Sequence, residues 1–266
     1  MGETMNLEMS GHVATVTITR SAMNPAFFDE LGAIFKTISS DPEVRAVIIC
    51  SSGKAFSYGL DLPAAFSTYG ELFAGGGAST RTQLLALIRH LQNTLGSIAE
   101  CPVPVIAAIH GWCIGGALDL ISCCDFRYAS RDTKISLRET KVAIVADIGS
   151  LQRLPPIIGQ GAVRELAFTG KDIDAEKALR IGLVNEIFET REEMMAAVKK
   201  TAGEIAENSP LVVRGVKDVL NFGQGKSVAD GMAYVAAWNS AFLSSEDLAE
   251  AMSAFLEKRK PEYKGK

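Results

Sequence analysis

From Val13 to Thr19 apolar residues alternate with hydroxyl-bearing ones, the two-residue period of a strand with one buried face. Ala46 to Cys50 (A-V-I-I-C) is apolar throughout and predicts a strand covered on both faces. Between them Phe27, Phe28, Leu31, Ile34, Phe35 and Ile38 recur at helical spacing behind Asn24 and Pro25, an N-cap followed by a first-turn proline. Leu84, Leu87, Ile88, Leu91, Leu95 and Ile98 mark a second amphipathic helix, stopped by Cys101 and Pro102, and Val103 to Ile109 is again a β-rich run. Strand and helix thus alternate along the first half, which is the pattern of α/β layering.

Past Gly159 helix signals follow one another with almost no strand between them. Thr190 with Glu193 forms a capping box, Ser244 with Asp247 resembles one, and Asp174 caps a short helix that Gly182 ends. The expected organisation is an α/β core over residues 1–190 and a helical portion over residues 191–266, with no long linker. Gly75 to Gly77 read as a mobile loop rather than a phosphate cradle, since no strand leads in and no lysine follows at the required spacing.

Composition narrows the partners. A chain of 266 residues that is 47% hydrophobic can bury a full core. Its net charge of -4, from 27 basic and 31 acidic residues mixed along the chain, offers no basic stripe for nucleic acid. The five cysteines, Cys50, Cys101, Cys113, Cys123 and Cys124, are odd in number and form no C-x-x-C pair, which fits a reducing compartment better than a disulfide framework or a zinc site. The start M-G-E-T-M-N-L-E-M lacks the marks of a secretory or transit peptide, and the end K-G-K is not a peroxisomal S-K-L. A bacterial cytoplasm is the expected location, with a processed organellar form as the alternative. Val103 to Cys124 approaches the apolarity of a membrane span, yet His110, Asp119 and a glycine cluster interrupt it, so no membrane partner is expected.

The chemistry concentrates in two loops and three carboxylates. Residues 102 to 120, P-V-P-V-I-A-A-I-H-G-W-C-I-G-G-A-L-D-L, run from a buried strand through glycines 111, 115 and 116 into a helix beginning near Ala117. The first amides of a helix have no internal partner, so the Gly116 N–H can serve a developing negative charge, or the glycines can simply pack a tight turn. Residues 53 to 62, G-K-A-F-S-Y-G-L-D-L, also follow a buried strand, and the pair of loops could offer the amides of Leu60 and Gly116 to one carbonyl oxygen. Asp119, Glu139 and Asp147 follow, Asp119 and Asp147 of them in apolar runs; raised carboxylate pKa values suit proton transfer near neutrality. Each has a structural alternative: Asp119 favouring the positive end of its helix, Glu139 pairing with Arg138 or Lys141, and Asp147 capping a helix from Ile148.

A-F-S-Y-G-L-D-L followed by C-P-V-P-V-I-A-A-I-H-G-W-C-I-G-G-A-L-D-L-I-S-C-C-D-F-R-Y-A-S resembles the paired signature of the crotonase (enoyl-CoA hydratase/isomerase) superfamily. D-I-G-S-L-Q-R-L-P-P-I-I-G and G-L-V-N-E-I-F extend the resemblance over nearly the whole chain. It implies an α/β fold, a spiral of ββα units with a helical C-terminal trimerisation region, acting on an acyl-CoA thioester with no metal or other cofactor. By position it makes the amides of Leu60 and Gly116 the oxyanion hole. It places Tyr58, Gly59, Leu60, Asp61, Leu62 and Gly116 at the substrate, with Phe255 and Lys258 reaching the nucleotide end of coenzyme A across a subunit boundary. Hydratases of the family carry glutamates where Asp119 and Glu139 stand, and glycine where Asp147 stands. The aspartate, glutamate, aspartate set, with V-A-D-I-G-S-L-Q-R-L-P and Y-V-A-A-W-N, is similar to the Δ(3,5)-Δ(2,4)-dienoyl-CoA isomerases. That similarity implies Asp147 as base, Glu139 as acid and Asp119 as the group that orients the extended system.

Two departures stand out. The family's N-R-P-x-x-x-N-A segment is shortened to R-S-A-M-N-P, and Tyr58 replaces a small residue at the adenine site. An enoyl-CoA hydratase using Asp119 and Glu139, or a non-catalytic CoA-thioester-binding scaffold, are the competing readings. Val212, Val213, Val216, Val219 and Leu220, followed by Met232, Val235, Ala236, Phe242 and Leu243, present more apolar surface than these helices can bury among themselves. Some of it should meet another chain, and the family resemblance implies a homo-trimer or hexamer; a helical cap folding back over its own core is the alternative.

Overall fold

The structure, a computed structural model, describes residues 2–266. It opens with the antiparallel strands β1 (Met5–Ser10) and β2 (Val13–Ile18), then β3 (Ala22–Met23) and α1 (Pro25–Ser40). Asn24 Oδ1 accepts from the Phe27 amide at 3.0 Å, with Pro25 opening α1, as the sequence predicts. The next unit is β4 (Ala46–Ser51), β5 (Gly59–Leu60), α2 (Leu62–Phe73) and α3 (Ala78–Glu100); a third is β6 (Val105–Ile109), β7 (Trp112–Ile114) and α4 (Gly116–Ser122). A fourth runs through β8 (Phe126–Ser130), β9 (Lys134–Ser136), a 3-10 turn over Glu139–Val142 and α5 (Ser150–Ile158).

Each unit therefore lays one long strand in a main sheet and one short strand beside it, then returns by a helix. The main sheet has the order β1-β2-β4-β6-β8-β11, parallel from β2 onward, and the short strands pair as β3 with β5 and as β7, β9 and β10. This is the spiral of ββα units that the resemblance implied. α6 (Gln160–Thr169), β10 (Asp172–Asp174), α7 (Ala175–Arg180) and β11 (Glu186–Phe188) complete the spiral. The span-like stretch from Val103 to Cys124 is divided among β6, β7 and α4, and no helix among the described residues is long and apolar enough to cross a membrane.

The burial of β4 on both faces has a specific cause. One face joins the main core with Phe35, Leu95 and Leu118; the other, through Ala46 and Ile48 beside Ile106 and Ala108 of β6, meets Met194, Val198 and Ala202 of α8 (Arg191–Ala206). The helical portion expected from residue 191 thus begins with a helix that belongs, by packing, to the sheet. Beyond it come α9 (Pro210–Gly223), α10 (Val228–Phe242) and α11 (Glu246–Glu257). Lys217 of α9, buried, holds Asp125 at 2.7 Å and the Val103 carbonyl at 3.0 Å, which fastens the helix to the strand that feeds the glycine loop. Gly215 is needed where α9 and α10 cross, because a Cβ there would stand 2.0 Å from the Trp238 ring.

Two local expectations shift. The cap of α11 is Ser245, whose side chain accepts the Leu248 amide at 3.1 Å, and not Ser244. Asp247 instead turns inward, accepting Ser209 Oγ at 2.5 Å and the Lys264 amide at 2.8 Å, and so secures the C-terminal tail. The apolar pattern does not announce α2, since Ala65 is its one buried residue; its marks are the Asp61 cap and Pro63.

Candidate active site

The loops after β4 and β6 come together because those strands are neighbours in the sheet. Asp61 N donates to Met23 O at 3.0 Å, so in the alternation of the β3–β5 ladder the Leu60 N–H faces away from β3. A Cβ built on Gly116 would stand 3.8 Å from Leu60 N, and one on Gly59 would stand 3.3 Å from Gly116 N. Gly59, at φ +80°, would also put that Cβ 2.5 Å from the Ile114 carbonyl, so glycine is what allows the two loops to meet. Gly116 is the first residue of α4 and its amide has no partner within the helix. Two amides thus open on one cavity.

That cavity, of about 230 Å³, is lined by Met23, Phe28, Leu62, Leu91, Val142 and Ile144 on its apolar walls and by Tyr58, Gly59, Leu60 and Gly116 at the loops. Asp119, Glu139 and Asp147 all face it. Asp119 from the third unit and Glu139 and Asp147 from the fourth thus share one apolar cavity.

The structural alternatives for Glu139 and Asp147 do not hold, and the one for Asp119 is only part of its setting. Asp119 stands in the first turn of α4, at the positive end of its helix, but it is fully buried and its Oδ1 accepts the Ser150 amide of α5 at 2.5 Å, so it also serves a second helix. Arg138 pairs with Asp172, and among the described residues Glu139 has no ion pair. Glu139 Oε1 lies 3.1 Å from where a Cβ on Gly115 would stand, beside the oxyanion amide. α5 begins at Ser150 behind Gly149, so Asp147 caps no helix; its backbone carbonyl accepts Gln92 Nε2 at 2.6 Å. Among the described residues four buried side-chain atoms lack a hydrogen-bond partner, and Asp119 Oδ2, Glu139 Oε2 and Ser150 Oγ are three of them. Unpartnered buried polar atoms are costly and cluster where function requires them.

Burial is the main reason these acids hold their protons. It pushes Asp119 up to about 6 against the opposing pull of the Ser150 amide, and Glu139 up to about 7 with help from the negative charges of Asp119 and Asp147. Asp147, open to solvent along one edge, is raised by the partial burial of its carboxyl. The sign for stability follows. Folded Glu139 keeps its proton to about 7 while the unfolded chain releases it near 4, so its contribution is complete below about pH 4 and lost as the pH climbs through 7. Glu139→Gln stays neutral, and is expected to melt about 2–4 °C above the wild type at pH 8 and at the same temperature at pH 4. Thermal melts across that range check this; a gap that does not open with pH contradicts the raised pKa.

Not every expected residue reaches the cavity. Asp61 does not line it: Oδ1 caps α2 through the Ala64 amide at 3.0 Å and Oδ2 holds Arg20 at 2.9 Å, so both oxygens are engaged in fixing the loop. Tyr58 stands at the rim, half exposed, with its amide on the Ser21 carbonyl at 2.8 Å. Phe255 and Lys258 lie exposed at the end of α11 and do not line the cavity of their own chain. Sequence reasoning missed Ser150, Gln92 and Arg138, and the apolar wall of Phe28, Leu62 and Leu91.

The sequence matches the enoyl-CoA hydratase/isomerase family over residues 8–266. A mitochondrial Δ(3,5)-Δ(2,4)-dienoyl-CoA isomerase of Dictyostelium discoideum is 42% identical over 248 residues, 92% of this chain and 83% of that protein. A peroxisomal protein of the same name from Arabidopsis thaliana is 42% identical over 245 residues, 91% of this chain and 88% of that one. The crystal structure of an enoyl-CoA hydratase from Bacillus anthracis superimposes with a TM-score of 0.89 at 30% identity, over 99% of this chain and 100% of that one. In sequence, in the succession of its ββα units and in the pairing of its two glycine loops, this chain belongs to the enoyl-CoA hydratase/isomerase (crotonase) family.

Proposed function

We propose that the protein isomerises a 3,5-dienoyl-CoA to the conjugated 2,4-dienoyl-CoA. The observation that carries this reading is the third carboxylate: Asp147 faces the same cavity as Asp119 and Glu139 and has no structural task that would explain its partial burial. The 42% identity to dienoyl-CoA isomerases supports it.

The thioester carbonyl would sit between the Leu60 and Gly116 amides, which stabilise negative charge on its oxygen. Asp147 then takes the proton from C2, and the charge spreads along the dienolate. Glu139, the more readily protonated of the two, returns a proton at C6, leaving the 2,4-diene. Asp119, one oxygen fixed to α5, orients and polarises the system. The reaction moves protons only and calls for no metal or redox group. A hydratase reading draws on the free oxygens of Asp119 and Glu139, which could hold a water, but leaves Asp147 without a role.

The exposed face of Val212, Val216 and Leu220 on α9, with Met232, Phe242 and Leu243 around α10, is proposed to meet other copies of the chain in a trimer or hexamer. Phe255 and Lys258 would then reach a neighbour's coenzyme A. Light scattering at micromolar concentration is expected to give a mass of three or six chains, and the mass of one chain would refute the assembly. For the activity itself, one preparation offered an enoyl-CoA and a 3,5-dienoyl-CoA should convert the latter, seen as absorbance of the conjugated product. Conversion of the enoyl-CoA alone would favour the hydratase, and binding with no conversion would favour a scaffold.

A further inference from the structure

A buried hydrogen bond ties the oxyanion helix α4 to the segment that carries Asp147: the carboxyl of Asp119 accepts the first amide of α5. Helix α5 has no side-chain cap of its own, since Gly149 stands at its N-cap, so Asp119 supplies the acceptor from outside. Ser150 is fully buried, and its hydroxyl, beside the same carboxyl, has no partner in the resting protein, as has the second oxygen of Asp119. A serine hydroxyl needs only a small rotation to donate.

We propose that Ser150 is a positioning residue for Asp119: its amide fixes one carboxyl oxygen, and its hydroxyl donates to the carboxylate when charge develops in the cavity. The inference rests on the proton-transfer reading of the site. The groups facing Asp119 set its electrostatics: Asp147 from the loop before α5 and Glu139 from the 3-10 turn oppose its ionisation, and Arg153 on α5 favours it. The thiols of Cys113 on β7 and Cys123 on α4 are kept neutral by burial. Burial holds Asp119 protonated, and against it, two acidic neighbours and one cation, a hydroxyl donor would shift how readily Asp119 ionises.

Ser150→Ala removes that donor and keeps the amide. It is expected to lower kcat about ten-fold, the effect of one hydrogen bond to a charged group, with KM within about two-fold. Because a donor to the charged form is lost, the acid limb of kcat should move to higher pH. The protonated-carboxyl infrared band, identified by its loss in Asp119→Asn, should move the same way. The infrared titration needs no turnover, so a wild-type protein inert on 3,5-dienoyl-CoA would sink the reaction reading while leaving this result legible. An infrared titration unmoved by Ser150→Ala overturns the proposal, whatever happens to kcat, and so does a shifted titration with kcat unchanged.

Discussion

Asp147→Asn is expected to reduce kcat on a 3,5-dienoyl-CoA by about 10²–10⁴-fold, the range for removal of a positioned proton carrier. The asparagine is nearly isosteric and keeps the backbone carbonyl that Gln92 holds, so the loop should stay where it is. The side chain caps no helix and burial raises its pKa, so the neutral asparagine loses no stabilising contact and the melting temperature should equal or slightly exceed that of the wild type at neutral pH. KM should change little, because the thioester is held by the loop amides. The assay is absorbance of the 2,4-diene, with a thermal melt alongside. Full isomerisation by this variant would remove Asp147 from the reaction, and with it the reason for preferring an isomerase to a hydratase.

Gly116→Pro tests the other half of the site and should cost about 10²–10³-fold in kcat, the loss of one oxyanion donor. Proline is suited to the first position of a helix, where the missing N–H has no partner within the helix, so α4 can keep its geometry. The added carbon is crowded, with Met23 Sδ 3.3 Å from the Cβ position, although a methionine side chain can yield. Gly116→Ala supplies the control: it brings the same Cβ and retains the donor, so it should keep most of the activity. The difference between the two variants, both checked for native circular dichroism, isolates the amide. Equal activity in proline and alanine variants would mean that Gly116 is a packing glycine.

What the sequence made legible was local. The Asn24–Pro25 start of α1, the alternation in β2 and the unbroken apolar run of β4 each announce an element through its own residues. The three carboxylates were visible as expensive groups in or beside apolar runs, and the resemblance ordered them, but their convergence depends on β4, β6 and β8 lying side by side. Choices of partner were not legible. Asp61 sits in the loop motif and looks like a site residue, yet a cap position and a nearby Arg20 claim both its oxygens. Ser150 looks like any helix-start serine until Asp119, 31 positions earlier, is found on its amide. The boundary near residue 190 follows a change in pattern, whereas packing assigns α8 to the sheet because its apolar stripe fits the outer face of β4 and β6.

The most direct test of the account is the fate of the proton. Wild-type protein should be given a 3,5-dienoyl-CoA in heavy water and the product examined by mass spectrometry and NMR. Two distinct carboxylates, one removing a proton at C2 and the other returning one at C6, predict a 2,4-dienoyl-CoA carrying deuterium at C6, since Glu139 exchanges with solvent between turnovers. A product without deuterium at C6 would point to one group carrying the same proton across, and a hydrated product in place of the diene would contradict the isomerase outright.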